Sequence, residues 1–105
     1  MKNIVGVCAC PAGIAHTYLA AETLENTAKS SGYKMKIETN GSGGVENRLS
    51  DQDIAEAEYV IIAADTKVEM DRFRGKKLIE ISVTEAIRNP QKLFKKINND
   101  ELEVY

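Results

Sequence analysis

The chain has 105 residues, 43% of them apolar and 29% charged, with a formal net charge of -2, which fits one compact folded domain and excludes fibrous and disordered classes. The weakly acidic balance supplies no global basic field, so neither nucleic acid nor anionic lipid is expected as a partner. The N-terminal apolar run is broken by Cys8, Cys10, Pro11 and Gly13, too soon for a signal peptide, and no stretch approaches the ~20 apolar residues of a membrane-spanning helix, so direct membrane insertion is not expected.

Asn3 to Cys8 (NIVGVC) is a short apolar run that ends at a Pro/Gly cluster, after which Ala15 to Ser31 changes to helical spacing. Ala20, Ala21, Leu24 and Ala28 form the apolar stripe of that helix, and Gly32 is its natural stop. Lys34 to Thr39 (KMKIET) alternates, with Met35 and Ile37 on one face and Lys34, Lys36 and Glu38 on the other, the pattern of an edge strand with one face exposed. Asn40 to Gly44 (NGSGG) reads as a flexible loop. Ser50 to Glu56 follows as a short helix, Ser50 and Asp53 having capping-box spacing.

Tyr59 to Ala64 (YVIIAA) is continuously apolar, as expected of a central parallel strand covered on both faces. Lys77 to Ile81 gives a fourth strand, Ser82 and Glu85 cap a short helix, and Asn89-Pro90 starts a last one with Leu93, Phe94 and Ile97 on its buried side. The tail after Asn98 is expected to fray. Strands alternating with helices predict an α/β fold: a Rossmann-like three-layer α/β/α sandwich on a four-stranded parallel sheet, with the active loop between the first strand and first helix. In such a sheet the loops after the strand C-termini share one rim, which here carries Cys10, the Gly41 to Gly44 loop and Asp65.

The two cysteines are one residue apart, too close for an unstrained bridge, and the chain lacks the spread of cysteines of a secreted scaffold, so a reducing cytoplasmic setting is expected. Cys8 falls within the strand and reads as a small buried hydrophobe. Cys10 stands where strand passes to helix, and its segment through Pro11, Ala12, Gly13, Ile14, Ala15, His16 and Thr17 leads into a helix N-terminus. There the unpaired N–H groups and the helix dipole favour an anion and favour thiolate over thiol, which makes Cys10 the expected nucleophile. Pro11 stiffens the turn, Gly13 permits a tight curve, and Thr17 offers a hydroxyl to a phosphate oxygen.

Low-molecular-weight cysteine phosphatases use a cysteine and a loop of this length, but carry an arginine where this chain has His16. A guanidinium clamps the transition state at two points, whereas histidine offers one donor and a weaker charge. A loop with His16 should therefore form phosphocysteine and hydrolyse it slowly, as a phosphoryl carrier must.

CPAGIAHT at Cys10 to Thr17 resembles the active-site loop of the fructose-family enzyme IIB domain of the bacterial sugar phosphotransferase system. The likeness extends through AAETLE, through ETNGSGGVEN at Glu38 to Asn47, and through ADTKVEMDRFRGK at Ala64 to Lys76. The resemblance implies that residues 1–105 form one fructose-type IIB domain. It implies that Cys10 takes phosphate from a phosphohistidine on a IIA protein and passes it to a sugar, by default fructose, held by the membrane IIC permease. No cofactor is implied, and any membrane association would be peripheral, through IIC. Ala12 stands where a threonine is usual in the family and Asn40 where a glutamine is usual. The absence at Ala12 of that threonine hydroxyl should cost about 1 kcal/mol, since main-chain N–H groups carry most of the loop's binding.

Other readings attach to the same residues. Cys10 with His16 also fits a cysteine phosphatase, for which Asp65 is the candidate general acid, or a regulatory module that binds at the rim without turnover. Cys8, Cys10 and His16 would supply three zinc ligands without a fourth cysteine or histidine, so no metal is expected. Lys67, Arg72 and Arg74 form a weak basic cluster, read as solvated surface or as a dock for an acidic patch.

Overall fold

The computed structural model describes residues 2–10, 14–41 and 44–105, with the side chain of residue 14 also outside it. In chain order the elements are β1 (Lys2–Ala9), α1 (Ile14–Ser30), β2 (Tyr33–Gly41), β3 (Gly44–Glu46), α2 (Asp51–Glu56), β4 (Tyr59–Ala64), a 3-10 turn (Asp71–Phe73), β5 (Lys77–Ile81), α3 (Val83–Arg88), α4 (Pro90–Asn98) and β6 (Glu103–Val104). They build one sheet in the order β3-β2-β1-β4-β5-β6. The inner four strands are parallel, as the alternation of strands and helices predicts. The sheet is nevertheless six-stranded and mixed rather than four-stranded, because β3 and β6 add antiparallel at its two edges. These additions are three and two residues long, too short to leave a periodic signal in the sequence.

The pleat of β1 and β4 divides the core in two. Ile4, Cys8, Tyr59, Ile61 and Ala63 point to one face, against Ala20, Leu24 and Ala28 of α1, Val83 and Ala86 of α3, and Leu93, Phe94 and Ile97 of α4. Val5, Val7, Val60 and Ile62 point to the other, against Ile54 of α2 and Phe73 of the 3-10 turn. β4 and the stretch of β1 from Ile4 to Ala9 are therefore apolar on both faces, as central parallel strands must be. Gly32, at φ +83°, ends α1 in the left-handed conformation that its missing Cβ allows. At α2 the Ser50 hydroxyl accepts from the Asp53 N–H and the Asp53 carboxylate from the Ser50 N–H, at 3.0 and 2.9 Å, which closes the anticipated capping box.

Three expectations are revised. The C-terminal tail does not fray: Leu102 is buried and β6 pairs with the N-terminal half of β5. The Gly75 N–H also donates to the Tyr105 carbonyl at 3.1 Å, and the Tyr105 N–H to Lys76 at 2.9 Å. An apolar slot for Leu102 and an open strand edge on β5 give the tail somewhere to go. The edge-strand reading of β2 holds only for its first half, since β3 covers Thr39, Asn40 and Gly41. The segment read as a loop is accordingly the tip of a hairpin whose Gly41 and Gly44 pair, residues 42 and 43 lying outside the described part. Among the described residues, no helix is long and apolar enough to cross a membrane.

Candidate functional site

The strand order reverses between β1 and β4: β1 leads through α1 to β2 on one side, while β4 lies on the other. A crevice opens at the C-terminal ends of strands at such a reversal, where a ligand meets the loops of both. Cys10 immediately follows β1 and Asp65 immediately follows β4. The Asp65 N–H donates to the Ala9 carbonyl at 2.9 Å, so the two strand ends leave the sheet side by side.

From this rim the first turn of α1 returns His16, whose Nδ1 lies 4.0 Å from the Cys10 Sγ. Cys10 is buried, whereas His16 and Asp65 are exposed, so the sulfur sits at the floor of the crevice with the ring and the carboxylate at its mouth. One donor atom from each of the three lies within 4.8 Å of the others. The sequence placed Cys10 and Asp65 on one rim and His16 in the segment after Cys10; the structure brings the three into one cluster. The Asp65 Oδ1 is held by the Val83 N–H at 3.2 Å, which anchors the carboxylate to the start of α3.

Of the remaining residues expected to surround a phosphate, Ala15 is exposed on α1 and Thr17 is buried beneath it, 1% exposed, with an interaction already made. Pro11, Ala12, Gly13 and the Ile14 side chain fall outside the described residues, and the expectations on them with it.

Cys8 has the opposite character. It is 0% exposed within the α1 face of the core, and burial, aided by the charge of Glu25, pushes its thiol up to about 12. A thiol so raised stays protonated at neutral pH and is a poor nucleophile, in agreement with its reading as a core hydrophobe. Both cysteines are free.

Sequence reasoning missed one polar assembly near the rim. Glu38, read as part of an exposed strand face, is 1% exposed. Its carboxylate accepts two hydrogen bonds from Arg72, at 2.9 and 2.6 Å, and others from the Leu49 N–H at 2.9 Å and the Asn40 amide at 3.3 Å. Arg72 is thereby withdrawn from the basic surface cluster assigned to it, while Lys67 and Arg74 stay exposed. The pair ties the end of β2 and the hairpin after it to the 3-10 turn. The lysines at the two preceding same-face positions disguise Glu38, because alternation reports the face of a residue and not what later chain covers it.

Beside that hairpin, Tyr18 and Leu19 on α1 and Val45 on β3 are large apolar side chains left 42, 48 and 49% exposed. A hydrogen bond between Tyr18 and Glu46 brings the two elements together.

Comparison with known proteins gives consistent matches. Residues 5–96 match the family described as PTS system, Lactose/Cellobiose specific IIB subunit. The chain is 47% identical over 103 residues to the PTS system fructose-specific EIIABC component of Bacillus subtilis, covering 98% of this chain but 16% of that relative. It is 42% identical to the PTS system fructose-like EIIB component 2 of Escherichia coli, covering 92% of each. Among solved structures, a domain of the fructose-specific IIABC component of Borrelia burgdorferi superposes with a TM-score of 0.94 at 42% identity, covering 99% of this chain and 98% of that one.

Proposed function

The chain belongs to the IIB family of the bacterial sugar phosphotransferase system, among relatives named fructose-specific or fructose-like, and from that premise we propose that it is a phosphocarrier working through Cys10. The donor is a phosphohistidine on a IIA protein and the acceptor a sugar, fructose or a close analogue, held by a IIC permease. The observation that carries this reading is the placement of Cys10: a sulfur at the floor of the β1/β4 crevice, 4.0 Å from His16 and at the head of α1.

The Cys10 thiolate attacks phosphorus in line with the bond to the donor imidazole. The S–P bond forms, the N–P bond breaks, and its electron pair returns to the imidazole nitrogen. In the second half-reaction a sugar hydroxyl attacks the same phosphorus, its proton passes to a base on the acceptor side, and the S–P electron pair restores the thiolate. Main-chain N–H groups in the first turn of α1 and the positive end of its dipole neutralise the equatorial oxygens, as at other phosphate sites before helices. His16, in the place of a phosphatase arginine, supplies one donor rather than a two-point clamp, so water attacks the phosphocysteine slowly and the acceptor arrives first.

Transfer in both directions needs a surface that two partners approach in turn. The exposed apolar side chains of Tyr18 and Leu19 on α1 and Val45 on β3 suit such transient docking. Acting between a IIA protein and a permease, the domain works in the cytoplasm at the inner face of the membrane.

The test is a chase. The protein is phosphorylated with a labelled IIA donor, separated from it, and mixed with buffer alone or with vesicles carrying the IIC permease and fructose. Label that persists in buffer and moves to sugar only with the vesicles supports the carrier; rapid release as inorganic phosphate in buffer would identify a phosphatase instead.

A further inference from the structure

The geometry points to a second ligand for the same crevice: Cys10, His16 and Asp65 form a three-donor site for a thiophilic divalent cation of the zinc class, whose occupancy excludes the phosphoryl group. The three donors come from separate elements, the end of β1, the first turn of α1 and the end of β4, and lie within 4.8 Å of one another. In tetrahedral zinc coordination the metal–sulfur and metal–nitrogen bonds, about 2.3 and 2.0 Å, put the two ligand atoms about 3.6 Å apart. Cys10 Sγ and His16 Nδ1 lie 4.0 Å apart, so closure on a metal requires only a small movement of an exposed histidine.

Donor chemistry selects the metal. One thiolate, one imidazole and one carboxylate suit zinc or cobalt and repel calcium and magnesium, which take oxygen ligands in larger number. Asp65 is positioned for the task, since the Val83 N–H holds one carboxylate oxygen at 3.2 Å and leaves the second for the metal. Binding replaces the Cys10 S–H bond with a sulfur–metal bond and releases the proton to solvent. The fourth position stays open to water.

The consequence rests on the phosphocarrier reading. Metal and phosphorus require the same electron pair on Cys10, so each blocks the other, and zinc holds the carrier in its unphosphorylated state.

The experiment has two independent readouts on the full chain. The first is titration with cobalt(II) followed by the thiolate-to-metal charge-transfer absorbance, and with zinc(II) by calorimetry. Wild type is expected to bind one equivalent with the thiolate band; Cys10→Ser loses the band, and His16→Ala and Asp65→Asn each weaken binding by roughly 10–100-fold or more. The second is phosphorylation by the IIA donor, which zinc should inhibit in wild type at the concentration that saturates the site, while Asp65→Asn, measured against its own zinc-free rate, needs correspondingly more zinc for the same fractional inhibition. Binding without the thiolate band, or binding unchanged in Asp65→Asn, would overturn the site. Three-ligand binding in a chain that no donor phosphorylates would leave the metal site standing and remove the carrier reading.

Discussion

Glu38 and Arg72 meet in a two-point ion pair, Nη1 of the guanidinium donating to Oε1 of the carboxylate and Nη2 to Oε2, with the side chains 1% and 14% exposed. The guanidinium also lies over the Phe73 ring at 4.8 Å, and its Nε is buried with no partner among the described residues. A charge so enclosed is costly to strand. Arg72→Ala leaves Glu38 buried without its counter-charge and should destabilise the fold by ~3–5 kcal/mol. Replacing both, as Glu38→Gln with Arg72→Met, should cost less than the sum of the single changes. Urea unfolding of the four proteins checks this, and additivity would show that the pair is not coupled.

The same pair sets an acid limit. Burial alone would raise the Glu38 carboxyl, but the hydrogen bonds from Arg72 and Leu49, with the charge of Arg72, outweigh it and hold the group below its ordinary 4.5. A carboxyl lowered on folding contributes stability that is fully present above its unfolded value and is lost as pH falls through its folded one. Wild type should therefore lose stability below about pH 4, and a Glu38→Gln variant should show a shallower loss over that range in thermal unfolding scans.

Gly6 sits in the middle of β1, between β2 and β4. A Cβ there would lie 2.8 Å from the Met35 Cε and 3.3 Å from the Ile61 carbonyl oxygen. The methionine end can swing away, but the carbonyl belongs to the central strand and cannot. Gly6→Ala is expected to destabilise by ~1–3 kcal/mol, read from the urea midpoint; an unchanged midpoint would mean that β1 and β4 separate more easily than their packing implies.

Cys8 and Cys10 are one residue apart and chemically far apart. With its thiol pushed up to about 12 by burial, Cys8 should resist iodoacetamide in the native protein at mildly alkaline pH. The carrier reading puts the reactive thiol at Cys10, so peptide mapping should find alkylation there and none after Cys10→Ser. Label on Cys8 in the folded protein would contradict the assignment.

The layers and the rim were legible because they depend on period and punctuation. YVIIAA has the length and continuous apolarity of a doubly covered strand, and the stripe of alanines with Leu24 allows close packing on a sheet. Cys10 and Asp65 were placed on one rim by topology, since parallel strands send their C-terminal ends the same way. What the sequence hid depends on coverage by distant chain. Glu38 continues the exposed lysine face of β2 in every local respect, and only Arg72, more than thirty residues on, reveals it as interior. The tail beyond Asn98 carries polar residues that read as fraying, while the single Leu102 that anchors it gives no pattern.

The central claim is that Cys10 bears the phosphoryl group. Incubation with a phosphorylated IIA donor, followed by intact-mass measurement and peptide mapping under conditions that preserve thiophosphate esters, tests it most directly. The account predicts one added phosphoryl group, on the peptide that contains Cys10, absent from Cys10→Ser. An unlabelled wild-type chain, or a Cys10→Ser variant labelled as fully as wild type, would contradict it.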